Sequence, residues 1–282
     1  QVEKRAVAMF LRPDGGGSTG HLMNNTQTPR IPYFYMASHC YVPTESQWVF
    51  YFNYESPTCV GDTGQTTQTM TGATFKSAYY YDDLCLVQLN SSPPLSYNPY
   101  YAGWDRSGAT PTSSVAMLHP SYDVKKISFD NNAATSYAVL PDIGAPETVK
   151  CWKVFWDSGL VEAVGSGSAL WDQNHRVVGH MYEGGQTCAT ATTQYSGFAK
   201  LSEEWDGTTP GTRLRDWLDP ANASTTLNGY DPNGAVPTLH VRVRLLLEGP
   251  FDGSSLMNGT LRANGLIPLT EPYTSLGYAH VG

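Results

Sequence analysis

Short apolar or alternating runs, each cut off by Gly, Pro, Asn or Asp, recur along the chain and leave little room for long helices. Ala6–Leu11, Pro32–Met36, Trp48–Phe52, Leu84–Leu89, Val115–Leu118, Val149–Trp156 and Arg176–Met181 are such runs. Segments of this length, rich in Val, Phe, Tyr and Trp and bounded by turn formers, read as strands of a sandwich or barrel. Only Thr212–Leu218, closed by Pro220, reads as a helix. Strands throughout with one late helix predict an all-β double barrel that ends in a helix. After Leu218 the texture changes to Asn228-Gly229, Pro232-Asn233-Gly234 and Pro237. We therefore expect a domain over 1–229, a linker over 230–238, and over 239–282 the start of a second, truncated β module.

The 282 residues include 17 Lys+Arg against 25 Asp+Glu, a formal net charge of -8 that argues against nucleic acid as a partner. Only 15% of residues are charged while Gly (27), Pro (19) and Tyr (18) are plentiful, the balance of a turn-rich β protein that meets the extracellular environment. No run has the length of a membrane helix, and the most apolar stretch, Val241–Leu247, carries two arginines. The chain opens directly into strand-like Ala6–Leu11 without a signal peptide, so the expectation is a monomeric piece of a larger exported precursor. Cys40, Cys59, Cys85, Cys151 and Cys188 lack the paired spacing of a zinc or redox site, and their odd number leaves at least one without a partner in the chain. No metal or cofactor is expected, since His175 and His180 fall on opposite faces of a predicted strand.

A chemical signal stands at Gly165-Ser166-Gly167-Ser168-Ala169-Leu170, read with Ala37-Ser38-His39-Cys40 and Asp83-Leu84-Cys85-Leu86. Taken alone, a Gly/Ser run is more often a plain loop. A serine hydroxyl becomes a useful nucleophile only beside a base, usually histidine, which in turn needs a carboxylate to fix its tautomer. His39, Asp83 and Ser166 supply those three groups in the chain order of chymotrypsin-like proteases. An α/β-hydrolase elbow would need glycine where Val164 and Ser168 stand.

Around these residues the chain resembles the secreted bacterial trypsin-like serine proteases of the lysyl endopeptidase type. The resemblance is carried by Leu22–Thr26, Pro32–Cys40, Asp83–Leu89, Ala102–Arg106, His119-Pro120, Lys126–Ser128, Glu162–Leu170, Gly184-Gly185, Cys188 and Asp216–Pro220. It implies two packed six-stranded antiparallel barrels with a triad between them: His39 as general base, Asp83 as its orienter and Ser166 as nucleophile. Asp82 competes with Asp83 for the orienting role, and Asp83 is preferred because it leads the apolar strand. The resemblance also implies an oxyanion hole from the backbone N–H groups of Val164 and Ser166, although glycine is usual where Val164 stands. A misdirected donor there costs about 3 kcal/mol, on the order of a hundredfold in rate. Tyr182, Glu183, Gly184 and Thr193 fall on the substrate-binding segments. Thr193 replaces the carboxylate that reads lysine in the family, and Glu183 is the one residue placed to substitute for it. Cys59 and Cys188 are expected to pair with a segment that this sequence lacks, and Ser18 stands where a partner for Cys40 is expected.

Two functions remain open from the sequence. One is an extracellular serine endopeptidase that hydrolyses polypeptides through an acyl-enzyme. The other is a catalytically weak or dead homologue used as a binding or adhesion module, for which Val164 and Thr193 speak.

Overall fold

Turn formers set the strand boundaries. In the computed structural model, which describes residues 2–58, 61, 63–141, 145–191 and 193–234, β1 (Val7–Leu11) and β2 (Gly17–Met23) form a hairpin whose turn places Gly15 at φ 82°. The first sheet continues with β3 (Tyr33–Ala37), β4 (Val49–Phe52), β5 (Thr69–Thr71), β6 (Ala73–Tyr79) and β7 (Leu84–Leu89). Its order is β5-β4-β1-β2-β3-β7-β6, antiparallel at every pair. The outermost strands β5 and β6 are consecutive in the chain and joined by Gly72 at φ 84°. The sheet therefore curls until its two edges meet at that residue.

The second sheet is built from β8 (Gly103–Asp105), β9 (Ser114–Leu118), β10 (Lys126–Asp130), β11 (Thr135–Val139), β12 (Val149–Val154), β13 (Ala169–Trp171), β14 (Arg176–Glu183), β15 (Ser196–Lys200) and β16 (Thr226–Leu227). Its path is β10-β9-β13-β14-β15-β12-β11, and β8 joins β14 in parallel while β16 pairs with β8. Again the edge strands β10 and β11 are consecutive. The sheets thus have seven and nine strands where the resemblance implies six antiparallel ones in each. A sharp bend divides one barrel strand into two, and β8 and β16 add an outer pair.

The predicted helix is shorter than expected, and a second short helix precedes it. α1 (Leu201–Glu204) follows β15, and α2 covers only Arg215–Leu218 of the predicted Thr212–Leu218. Arg213 is extended at φ -156°, and Leu214 N–H donates to the Glu204 carbonyl at 3.0 Å. Docking of fully buried Leu214 and Leu218 decides the backbone here rather than helix propensity.

The continuous apolar character of the strands has a packing cause, because strands covered on both faces lose the in-out alternation. Phe34 and Met36 of β3, Cys85, Val87 and Leu89 of β7, and Phe10 of β1 fill the first barrel. The alternate residues Tyr33, Tyr35, Leu84, Leu86 and Val7 enter a cluster shared with Met117, Trp171 and Val177 of the second sheet. Ala116, Leu118, Trp152, Val178 and Phe198 fill the second barrel. Three main cores result beside a small cluster of Val149, Cys151 and Ala199, and the core shared by both sheets binds the barrels together.

The chain divides into two compact units, Gln1–Val236 and Pro237–Gly282. The expected second module over 239–282 lies outside the described residues, as does Cys59. Within the predicted linker, Tyr230 exchanges backbone hydrogen bonds with Tyr101 and Asp231 pairs with Arg5 at 2.5 Å. Cys40, Cys85, Cys151 and Cys188 are free thiols, so no disulfide joins the described cysteines.

Candidate active site

β3 ends at Ala37, and the tight turn Ser38–Cys40 that follows carries His39. β3 pairs with β7 so that Ala37 faces Leu84, which brings Asp83, in the turn before β7, beside His39. Asp83 adopts φ 64°, a left-handed conformation that aspartate tolerates better than most residues. Its carbonyl accepts from Ser38 N–H at 2.7 Å. Oδ1 accepts from the His39 N–H at 3.0 Å and from Ser38 Oγ at 3.2 Å. Both carboxylate oxygens lie 3.0 Å from His39 Nδ1.

Burial opposes charge on both partners. Even so, hydrogen bonds from His180 and His39 hold the Asp83 carboxyl below its ordinary value, and Asp83 raises His39. With Nδ1 committed to the carboxylate, Nε2 is the nitrogen available for proton transfer. Asp82 turns elsewhere: its carboxylate accepts from Leu84 N–H at 3.3 Å, and burial with the nearby Glu204 pushes it up to about 8.

Ser166 sits on a knotted turn in which Gly165 N–H donates to the Glu162 carbonyl, Ser168 N–H to that of Gly165, and Gly167 N–H to that of Met181. Gly167 is required twice over. It has φ 82°, and a Cβ there would stand 2.5 Å from the Thr19 carbonyl oxygen and 2.8 Å from the Ala37 nitrogen. The serine turn is therefore seated on the end of β3, two residues before His39. Ser18 Oγ ties it down further by donating to the Ser166 carbonyl at 2.7 Å.

Val164 occupies φ 70°, where a β-branched residue is an outlier. Its surroundings hold it there. The carbonyl of Ala163, at the far end of the peptide plane that carries the Val164 N–H, accepts from Ser121 N–H at 2.8 Å. The Val164 carbonyl accepts from Ser18 Oγ at 3.1 Å and Thr19 Oγ1 at 3.0 Å. The Gly165 carbonyl is held by Ser168 N–H at 2.9 Å, which orients the Ser166 N–H in the same way. Neither the Val164 nor the Ser166 N–H donates to a protein acceptor among the described residues.

The expected substrate-binding residues divide into two groups. The Tyr182 ring stands edge-on to His39 with centroids 6.2 Å apart. Gly184 adjoins Met181 and Ser196, and a Cβ there would meet Met181 Cε at 2.9 Å. The Glu183 carboxylate accepts from the Tyr137 hydroxyl and, at 3.4 Å, from that of Tyr195. Lys153 Nζ lies over both of those rings. Thr193 is exposed on the turn after Gln186, its hydroxyl donating to the Thr190 carbonyl at 3.3 Å.

Sequence reasoning missed the buried polar group behind this segment. Gln186 accepts from Val161 N–H at 2.9 Å and from Ser196 Oγ at 3.1 Å, and Trp156 Nε1 donates to Ser196 Oγ at 3.0 Å. It also missed a second histidine at Asp83. His180 on β14 is fully buried, with Nε2 3.2 Å from Asp83 Oδ2. The signal was present as a polar residue inside the otherwise apolar run Val177–Met181. Of the two other histidines weighed as metal ligands, His175 meets Glu3 at 2.9 Å on the surface, and buried His119 stacks on Tyr54. Among the described residues, no cluster of His, Cys, Asp and Glu could hold a metal ion.

Two curled β-sheets packed through a common core are the fold of the chymotrypsin-type proteases. Residues 1–199 match the family model described as lysyl endopeptidase, C-terminal domain, and the chain belongs to that family. It is 30% identical over 208 residues to a lysyl endopeptidase of Pseudomonas aeruginosa, an alignment covering 67% of this chain and 42% of that protein. The chain thus spans less than half the length of that relative. Among solved structures, the Rv3671c protease of M. tuberculosis H37Rv in its inactive form superposes with a TM-score of 0.49 at 17% identity, over 70% of this chain and 84% of the other. An HtrA-type protease, AlgW with a decapeptide, gives a TM-score of 0.48 at 10% identity, over 71% and 63%.

Proposed function

We propose that the chain is an extracellular serine endopeptidase that hydrolyses polypeptides through an acyl-enzyme on Ser166. The observation that carries this reading is the buried Asp83 carboxylate on His39 Nδ1, beside a serine turn seated on the same strand end. In this mechanism Ser166 Oγ attacks the peptide carbonyl while His39 Nε2 takes its proton. The oxyanion that forms accepts from the Val164 and Ser166 N–H groups. His39 then gives the proton to the departing amine, and water, activated by the same nitrogen, releases the acyl group.

The relative named above is a lysyl endopeptidase, yet a preference for lysine is not what we propose. Within 182–196 the one carboxylate is Glu183, and the hydroxyls of Tyr137 and Tyr195 already occupy it. A cationic side chain desolvated without a counter-charge loses several kcal/mol. We therefore assign a preference for uncharged or aromatic side chains beside Tyr182. In a peptide-library digest, dominant cleavage after lysine or arginine that Glu183→Gln abolishes would overturn this assignment.

One observation favours the alternative of a weak or inactive homologue acting as a binding module, namely valine at φ 70° in the oxyanion turn. A fluorophosphonate probe decides between the two. Covalent labelling that Ser166→Ala removes is expected of the protease, and an unlabelled folded protein would overturn that reading in favour of an inactive homologue.

A further inference from the structure

Behind Asp83, on the side away from His39, lies a polar cluster that a serine hydrolase mechanism does not use. His180 Nε2 is 3.2 Å from Asp83 Oδ2, and its Nδ1 is 2.8 Å from Tyr35 Oη and 3.2 Å from Glu204 Oε1. The Tyr35 hydroxyl donates to Glu204 Oε2. All four side chains are buried, with relative exposures of 0% for Tyr35, His180 and Glu204 and 1% for Asp83. They come from β3, the turn before β7, β14 and α1, so both barrels and the helix after them converge here. Glu204 lies beyond the 1–199 span of the family match.

Proton accounting identifies the state of the ring. Oδ2 of an ionised Asp83 only accepts, so Nε2 carries a hydrogen. Because Tyr35 gives its proton to Glu204, its oxygen accepts, and Nδ1 therefore carries a hydrogen too, with Glu204 Oε1 at ion-pair distance from it. The titratable groups facing this ring are Tyr35, Asp83, Glu204, the adjacent Asp82 and His21. Burial and the His180 charge push His21 down to about 3, so it adds no charge. Asp82, pushed up to about 8, adds none near neutrality. The buried carboxylates of Asp83 and Glu204 thus have His180 as their common counter-charge.

We propose that His180 is a positioning residue for hydrolysis: as an imidazolium bridging Asp83 and Glu204, it keeps the Asp83 carboxylate ionised and aimed at His39. The role rests on the reading of His39, Asp83 and Ser166 as a triad. Removing the cation leaves two buried anions side by side, and the Asp83–His39 pair then holds an extra proton more tightly, whichever member takes it. A pair carrying that proton cannot accept one from Ser166.

The test is the rate of fluorophosphonate labelling at Ser166 as a function of pH. In His180→Gln the acid limb should move up by about one to three pH units, the effect of losing an opposite charge at this range. Removing the second anion as well, in His180→Gln/Glu204→Gln, should bring the limb back toward wild type. A packing role would lower the rate without moving the limb. A folded, labelled His180→Gln protein with an unmoved limb overturns the proposal and leaves the protease reading intact. An unlabelled wild type sinks that reading and this role together. Should His180→Gln fail to fold, nitrogen NMR of the wild-type imidazole rings decides: His180 protonated on both nitrogens at pH 7 supports the role, and a neutral ring overturns it.

Discussion

Val164 concentrates the chemistry of this protein at the scale of one residue. Holding a β-branched side chain at φ 70° costs on the order of 1–3 kcal/mol. The hydroxyls of Ser18 and Thr19 and the Ser121 N–H offset that cost by fixing the carbonyls on either side of it. If those contacts already aim the N–H, Val164→Gly should change the Ser166 labelling rate by less than about tenfold, whereas a gain near a hundredfold would mean that valine misdirects the donor. The converse variant, Ser18→Ala with Thr19→Val, frees the Val164 carbonyl. We expect it to slow labelling by about tenfold or more, which is most of what one misplaced oxyanion donor is worth.

Among the structural elements, the serine turn and β3 form one unit. Gly167 meets the backbone of Thr19, Met36 and Ala37, none of which can rotate away as a side chain would. Gly167→Ala therefore combines an unfavourable φ with overpacking, and we expect a loss of roughly 2–4 kcal/mol in urea unfolding, alongside loss of labelling. A loss below the ~0.5 kcal/mol typical of neutral surface changes would show that the turn is not seated on β3. β3 itself shows why few of its residues are free to vary: Phe34 and Met36 support the first barrel while Tyr33 and Tyr35 face the second sheet.

For the whole molecule, the buried titrating groups set the pH dependence of stability. His39 and His180 are raised when folded, so their contribution is complete below about 6.5 and falls as pH rises toward their folded values. Asp82, raised to about 8, and Glu204, also raised, destabilise the fold as pH climbs above the ordinary carboxyl range. His21 and His119, both lowered to about 3, act in the opposite direction, losing stability as pH falls from 6.5. Between about 4.5 and 6.5 the two lowered histidines gain stability as pH rises while Asp82 loses it. Above that range the losses act together. The expected thermal melting profile has its maximum near pH 6.5 and declines from there to 8; a midpoint that rises over that interval would contradict these assignments. At the far end of the described chain, Tyr230, Asp231 and Asn233 are hydrogen-bonded to the body, so limited proteolysis should trim no further than Gly234.

The amino-acid sequence determined what depends on neighbours along the chain: strands ended by turn formers, an all-β architecture, and the His39, Asp83, Ser166 order in glycine-rich and apolar settings. It also carried the oddity at Val164, because a side chain where glycine is usual is visible without coordinates. Tertiary structure decided whatever depends on which faces meet. The predicted helix shrank to Arg215–Leu218 because Leu214 docks on the core and bonds Glu204. Bends at Gly72 and between β10 and β11 divided the barrel strands, an effect of sheet closure that no local pattern encodes. Glu183, open as a substrate ligand in the sequence, is occupied by tyrosines from β11 and from the residue before β15, brought to it from 46 residues upstream and 12 downstream. His180 looked like an isolated histidine on a strand. Its partners Tyr35, Asp83 and Glu204 lie 145, 97 and 24 residues away in the chain, and only the packing of two barrels brings them to one buried ring.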